Sequence, residues 1–124
     1  MAHLKRGGSI VNTGSVVGLE GSSGHLLDYS TTKGAIHAFT KSLAHNLVEK
    51  GIRVNAVAPG PVWTPLHPAD RAAKQVAKFG RDSDMQCAAQ PEEISPAYVF
   101  LAAPVCSGYI TGIVLPITGS VGAI

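Results

Sequence analysis

The sequence is short of several things that would point to whole classes of function. It has two cysteines, Cys87 and Cys106, too few and too isolated for a disulfide framework or a zinc site. A reducing, cytoplasmic setting is the simple expectation. No apolar run is long enough to span a bilayer, and the start does not read as a secretory signal. Formal net charge is +2 with both signs scattered, so no nucleic-acid partner and no membrane surface is implied. There is no internal repeat and no low-complexity tract. What remains is 124 residues, one domain at most, with a hydrophobic fraction of 45% that supports a packed core and argues against disorder.

Within that plain background one run stands out: Asp28-Tyr29-Ser30-Thr31-Thr32-Lys33-Gly34. A tyrosine and a lysine four apart on a helix share one face, one turn from each other. A free phenol has a pKa of about 10, and a neighbouring ammonium favours its ionised form. This spacing is what an acid–base tyrosine needs, although a bare Tyr-x-x-x-Lys arises often by chance. Upstream, Gly8-Ser9-Ile10-Val11-Asn12-Thr13-Gly14-Ser15 reads as a short buried strand opening into a loop at Gly14 and Ser15. Open α/β sheets hold ligands at the carboxyl ends of their strands, which is where Ser15 falls. Downstream, Ile52 to Ala58 reads as a second strand ending in the stiff turn Pro59-Gly60-Pro61-Val62-Trp63-Thr64.

The strand ending in serine, the Tyr-x-x-x-Lys helix, the Arg53-Val54-Asn55 strand with its Pro59-Gly60 turn, and the late Tyr109-Ile110-Thr111-Gly112 occur in a fixed order. Together they resemble the short-chain dehydrogenase/reductase family, over nearly the whole chain from about Gly7 onward. The resemblance covers that family's second half. Its first half would begin with a strand and a glycine-rich turn that receives the cofactor pyrophosphate at a helix N-terminus. Nothing here matches that turn, nor the residue that reads the ribose, nor the Asn-Asn-Ala-Gly strand end. The expectation is therefore a truncated chain, the catalytic and substrate-binding half of a Rossmann-type domain.

Read along its length, the chain predicts a first strand over 9–14 and a Gly/Ser-rich loop from Gly18 to Gly24. A long helix follows from about Asp28 to Glu49, with Ile36, Phe39, Leu43 and Leu47 as its buried face and Gly51 as its cap. The second strand covers about 52–58. A loop with short helices runs from Thr64 to Phe79, and 80–90 is irregular. Another helix starts near Pro91-Glu92-Glu93, where Pro96 must bend or delay it. A third strand covers about 113–117. Alternating strands and helices predict an α/β fold: about three parallel strands of a doubly wound sheet, with right-handed crossovers and an exposed edge on the first strand.

The resemblance implies an oxidoreductase that moves hydride between NAD or NADP and a small-molecule carbonyl/alcohol substrate. It implies Tyr29 as general acid or base, Lys33 as its electrostatic partner and a ribose contact, and Ser15 as the group holding the substrate oxygen. Tyr29 and Lys33 would also touch cofactor, as would the turn: Pro59 and Gly60 shape it, the Val62 backbone holds the carboxamide, and Thr64 contacts the nicotinamide end. Asn12 would be structural. Ser15 lies 14 residues before Tyr29, one more than the family usually has, which leaves Ser22 or Ser23 as lesser candidates. Thr64 could instead cap a following helix. Trp63, Leu66 and His67 could line a substrate lid or simply pack. His37 and His45 are expected on a solvated or interface face, and His3 and His25 offer no ligand spacing. Ile117-Thr118-Gly119-Ser120 departs from the family's double glycine. A homo-oligomer is the family expectation. Two other classes of function compete. A serine hydrolase would need Gly-x-Ser-x-Gly, and Thr13-Gly14-Ser15-Val16-Val17-Gly18 has the wrong spacing. A non-catalytic fragment that only self-associates fits the missing half of the crevice.

Overall fold

The computed structural model describes residues 3–22, 26–66, 69 and 72–120. Three strands form one parallel sheet in the order β1 (Ser9–Thr13), β2 (Arg53–Pro59), β3 (Val114–Ile117). Ser9 is level with Arg53 and Thr13 with Val57; Ala56 is level with Val114 and Pro59 with Ile117. Strand number, order along the chain and parallel pairing match the reading from sequence, and the boundaries agree within a residue or two. β2 is central and buried from Arg53 to Ala58, as a strand covered on both faces must be. Pro116 donates no ladder hydrogen bond, and β3 is an outer strand, where that is tolerated.

Helix α1 (Val17–Glu20) is a single turn in the region expected to be loop. Helix α2 (Leu27–Leu47) runs into one 3-10 turn, Val48–Lys50, and stops at Gly51 with φ 66°, the left-handed cap that only glycine adopts at little cost. Helix α3 (Ala73–Val76) is short; α4 (Pro91–Ala102) and α5 (Pro104–Ser107) follow. Ala44 and Leu47 of α2 pack with Ile10, Ile52 and Val54 on one face of the sheet. Ile94 and Leu101 of α4 pack with Val11, Val57 and Leu115 on the other. Val54 and Val57, three apart on one strand, necessarily point to opposite faces.

That arrangement corrects the expected handedness. Both connections step the same way across the sheet, yet their helices cover opposite faces, so the two crossovers have opposite hands and one is left-handed. The right-handed rule applies to a twisted strand feeding directly into its helix. After β2 the chain instead turns at Pro59, bridges Val62 to Ala89, and only then enters α4, a long excursion with the reach for either face.

Two helix expectations also change in part. The buried face of α2 is His37, Thr40, Ala44 and Leu47; Phe39 is 58% exposed, and Ile36 and Leu43 are half-buried. Choosing the largest apolar residues placed the stripe off its true position, because the surface beneath the His37–Thr40 part of α2 is polar: Asn12 Nδ2 donates to Thr40 Oγ1 at 2.9 Å and the Ser15 N–H meets His37. His37 is therefore buried within the chain, contrary to the solvated or interface face expected of it, whereas His45 is exposed. Pro96 does not delay α4, which starts at Pro91. The Gln90 N–H donates to Glu93 Oε2 at 2.7 Å and secures the first turn, and the Ser95 hydroxyl reaches the Glu92 carbonyl that proline leaves without an N–H.

Candidate active site

Chain direction brings the carboxyl ends of β1 and β2 to one edge of the sheet, and the residues singled out from sequence gather there. β1 ends at Thr13 and hands over to three consecutive amides with three different acceptors. Gly14 N–H donates to the Val57 carbonyl at 2.7 Å, Ser15 N–H to His37 Nε2 at 3.4 Å, and Val16 N–H to the Pro59 carbonyl at 3.0 Å. The loop carrying Ser15 is thus tied to β2, to α2 and to the Pro59 turn within three residues. Ser15 itself is buried.

Two glycines allow this close approach. A Cβ on Gly14 would lie 2.1 Å from His37 Nε2, and one on Gly18 would lie 2.7 Å from the Lys33 backbone carbon and 2.8 Å from His37 Cε1. The imidazole fills the space beside both. Burial holds the His37 pKa below the ordinary histidine value, and Lys41 and Lys33 push the same way, against an opposing pull from the Gly18 backbone. His37 Nδ1 is buried with no hydrogen-bond partner among the described residues, a deficit of about 1–3 kcal/mol for a neutral polar group.

On the exposed side of this support, the Lys33 ammonium donates to the Thr13 carbonyl at 3.2 Å and sits 5.6 Å from the centre of the Tyr29 ring. That distance allows a cation–π contact. The lysine links the last carbonyl of β1 to the tyrosine one turn earlier on α2, and Tyr29 stays 43% exposed. Ser15 connects to this helix through His37; none of the described hydrogen bonds joins it to Tyr29 directly.

The Pro59 turn lies beside this cluster, on the α4 side. Gly60 N–H donates to the Ile117 carbonyl at 2.8 Å, and a Cβ there would come within 2.8 Å of Thr118 Cα, so the turn needs glycine. Pro59, Val62 and Thr64 line one cavity of about 320 Å³ together with Ile94, Ser95 and Tyr98. Trp63 lines a separate cavity of about 600 Å³ with Phe79, Arg81, Gln86 and Gln90. Leu66 is exposed, and His67, Ser23 and His25 lie outside the described residues. Tyr98 escaped the sequence reading: its hydroxyl is 2.8 Å from Thr13 Oγ1 and joins α4 to the same strand end. Its spacing of four from Ile94 on a helix was the available signal. His37 was also missed as a site neighbour, and its place one turn after Lys33 was the clue.

A nicotinamide cofactor is the group that the resemblance implies. The residues present fit its nicotinamide–ribose end: an exposed phenol, an ammonium with one of its three donors on Thr13, and the Pro59 turn, tied to the Ser15 loop through Val16 N–H, with its own groove on the α4 side. They do not offer a pyrophosphate cradle after β1, since the space beside Gly14 and Gly18 is filled by the imidazole and α1 is one turn long. Among the described residues no three His, Cys, Asp or Glu side chains could hold a metal, and no helix is long and apolar enough to cross a membrane.

Residues 1–120 match the family model described as enoyl-(acyl carrier protein) reductase. The chain is 55% identical over 115 residues to glucose and ribitol dehydrogenase homolog 2 of Arabidopsis thaliana, a match that covers 93% of this chain and 39% of that protein. It is 55% identical over 115 residues to NADPH-dependent aldehyde reductase 1, chloroplastic, of the same plant, covering 93% of this chain and 40% of the relative. Among solved structures, a short-chain dehydrogenase from Burkholderia cenocepacia in complex with NADP superposes with a TM-score of 0.86 at 31% identity, over 98% of this chain and 49% of that one. The chain thus spans about two fifths of the length of the curated relatives it matches.

Proposed function

The chain belongs to the short-chain dehydrogenase/reductase family, and we propose that it supplies the acid–base and substrate-binding half of a hydride transfer between NAD or NADP and a small carbonyl/alcohol substrate. The observation that carries this reading is Lys33, which reaches both the Thr13 carbonyl and the Tyr29 ring at the edge of the sheet where open α/β folds bind ligands. When bound, the dinucleotide gives or takes the hydride. The chain's own residues handle the proton. Tyr29 donates it to the carbonyl oxygen in reduction and removes it from the alcohol in oxidation. Lys33 stabilises the negative charge that develops on the phenol oxygen and offers its remaining donors to a ribose diol. Ser15, held in place by its loop, hydrogen-bonds the substrate oxygen.

In this reading the Pro59–Gly60 turn shapes the groove, the Val62 backbone and Thr64 face the nicotinamide end, and Asn12 secures Thr40 beneath the helix. The aldehyde reductase and the NADP complex among the similar proteins favour NADP and an aldehyde or ketone. The 124 residues act as one unit within a homo-oligomer in a reducing cytoplasm; Cys87 and Cys106 are both free and exposed. The test is a fluorescence titration of the purified chain with NADH and with NADPH, alongside its native mass. Saturable binding at micromolar cofactor supports the enzyme.

A second reading is a self-associating, non-catalytic chain. The exposure of Leu27, Phe39, Val99, Val105 and Tyr109 favours it. An oligomer that binds no cofactor up to millimolar concentration would make this the better account.

A further inference from the structure

We infer that His37 is the positioning residue for Ser15: its imidazole, seated beside Gly14 and Gly18, accepts the Ser15 amide proton at Nε2 and thereby holds the serine loop against the tyrosine–lysine helix. This rests on the role proposed for Ser15. The flanking amides of Gly14 and Val16 have main-chain acceptors on Val57 and Pro59. The buried amide between them has the imidazole, at 3.4 Å. A valine or leucine at position 37 could fill the same volume but could not accept that proton. Gly14 is shaped for the ring, since a Cβ there would meet His37 alone at 2.1 Å, and a Cβ on Gly18 would meet both the ring and the α2 backbone at Lys33 and Gly34. The assembly works as a unit: two glycines open the slot, the ring fills it, and its one acceptor nitrogen faces the residue that must stay in place.

The geometry also specifies the protonation state. Nε2 can accept only when unprotonated, so the proton of the neutral ring sits on Nδ1, the atom left without a partner among the described residues. Protonating Nε2 sets one N–H against another and releases the Ser15 amide. The charged groups acting on the ring are Lys33 and Lys41, one turn before and one turn after it on α2, and both oppose a second positive charge. From the β1–α1 segment the Gly18 backbone pulls the other way, more weakly than burial, and the one ionisable residue there, Glu20, is exposed. From the β2 side, the Val57 and Pro59 carbonyls are engaged by Gly14 and Val16. Acid therefore loosens the Ser15 loop while leaving Tyr29 and Lys33 on an intact helix.

The experiment is nuclear magnetic resonance on the isotope-labelled chain, following the His37 ring and the Ser15 amide from about pH 8 to about pH 5. The expected result is an Nδ1–H tautomer at the upper end, and a Ser15 amide resonance that moves with the same midpoint as His37, below the ordinary histidine value. In His37→Val the Ser15 amide should exchange with solvent about tenfold faster. His37→Gln, whose carbonyl can accept the same proton, should restore protection. A Ser15 amide indifferent to pH while His37 titrates, or an Nε2–H tautomer, overturns the inference, and the unmodified chain decides this even if a variant fails to fold. These readouts need no turnover, so loss of the oxidoreductase reading and loss of this one remain distinguishable. Where turnover is measurable, the acid limb of kcat, and not KM, should follow the His37 midpoint.

Discussion

At one end of β2 sits Arg53, and at the other Pro59. The Arg53 guanidinium is buried; Nη1 donates to the Leu101 carbonyl at 2.7 Å and to Ser107 Oγ at 2.9 Å, and Nη2 to the Ala102 carbonyl at 3.0 Å. Ser9 Oγ adds a further donor to Leu101 at 3.0 Å. The positive charge lies against the last carbonyls of α4, where a helix favours a cation, and fastens β1, β2, α4 and α5 together. The Pro59 end is arranged differently. A half-buried lysine ammonium reaches an exposed phenol, a groove opens at the Pro59 turn, and a buried ring nitrogen lacks a partner among the described residues. Polar capacity is largely engaged at one end of the strand and left in surplus at the other. The difference separates a cation engaged inside the fold from polar groups that keep unused hydrogen-bonding capacity at the sheet edge.

Four perturbations would break or sharpen that contrast. The largest effect is expected from Tyr29→Phe, which should lower turnover about a hundredfold to ten-thousandfold in a catalytically competent form, with melting temperature and cofactor affinity held. Undiminished steady-state turnover would remove Tyr29 from the chemistry. At the closed end, Arg53→Met should lose about 3 kcal/mol in urea unfolding, because the Leu101 and Ala102 carbonyls and Ser107 lose a charged donor. A cost under about 1 kcal/mol would show that the α4 terminus does not depend on it. Gly18→Ala places a methyl group 2.7 Å from the Lys33 backbone, for an expected cost of about 1–3 kcal/mol; an unchanged melting curve would show that α1 can retreat from α2.

The fourth and gentlest perturbation is pH. The folded-state pKa of His37 lies below its unfolded value of about 6.5, so between the two the unfolded chain binds more protons. That contribution to stability is fully present above about pH 6.5 and is lost as pH falls through the folded-state value. Urea midpoints measured across that window should decline toward acid, and His37→Gln should flatten the slope. An equal slope in both proteins would mean that another group carries it.

What was legible from the residues was mostly what repeats or what is spelled in order. Alternating strands and helices yielded three parallel strands, Gly51 its helix cap, and the Tyr29–Lys33 spacing its shared face. What was not legible depended on partners distant in sequence. Arg53 reads as a solvated cation until α4 brings its carbonyls alongside. His37 reads as surface because only Gly14, Gly18 and the Ser15 amide, more than a dozen positions away, make its burial sensible. Phe39 reads as core because size was taken for burial, while the sheet beneath asked for an acceptor and a hydroxyl. The left-handed crossover is invisible locally, since each connection looks ordinary until both helices are placed on their faces.

Gly14, Gly18 and His37 occupy a single shared volume, and that limits how this region can change over time. Widening Gly14 is blocked while the ring is present, widening Gly18 is blocked by the Lys33 and Gly34 backbone as well, and shrinking the ring alone leaves a void and an unmet amide. For Gly14 and His37 the route with fewest penalties changes both positions together, so variation at that pair is epistatic and the order in which substitutions arrive decides which are permitted, while Gly18 stays held by the helix backbone.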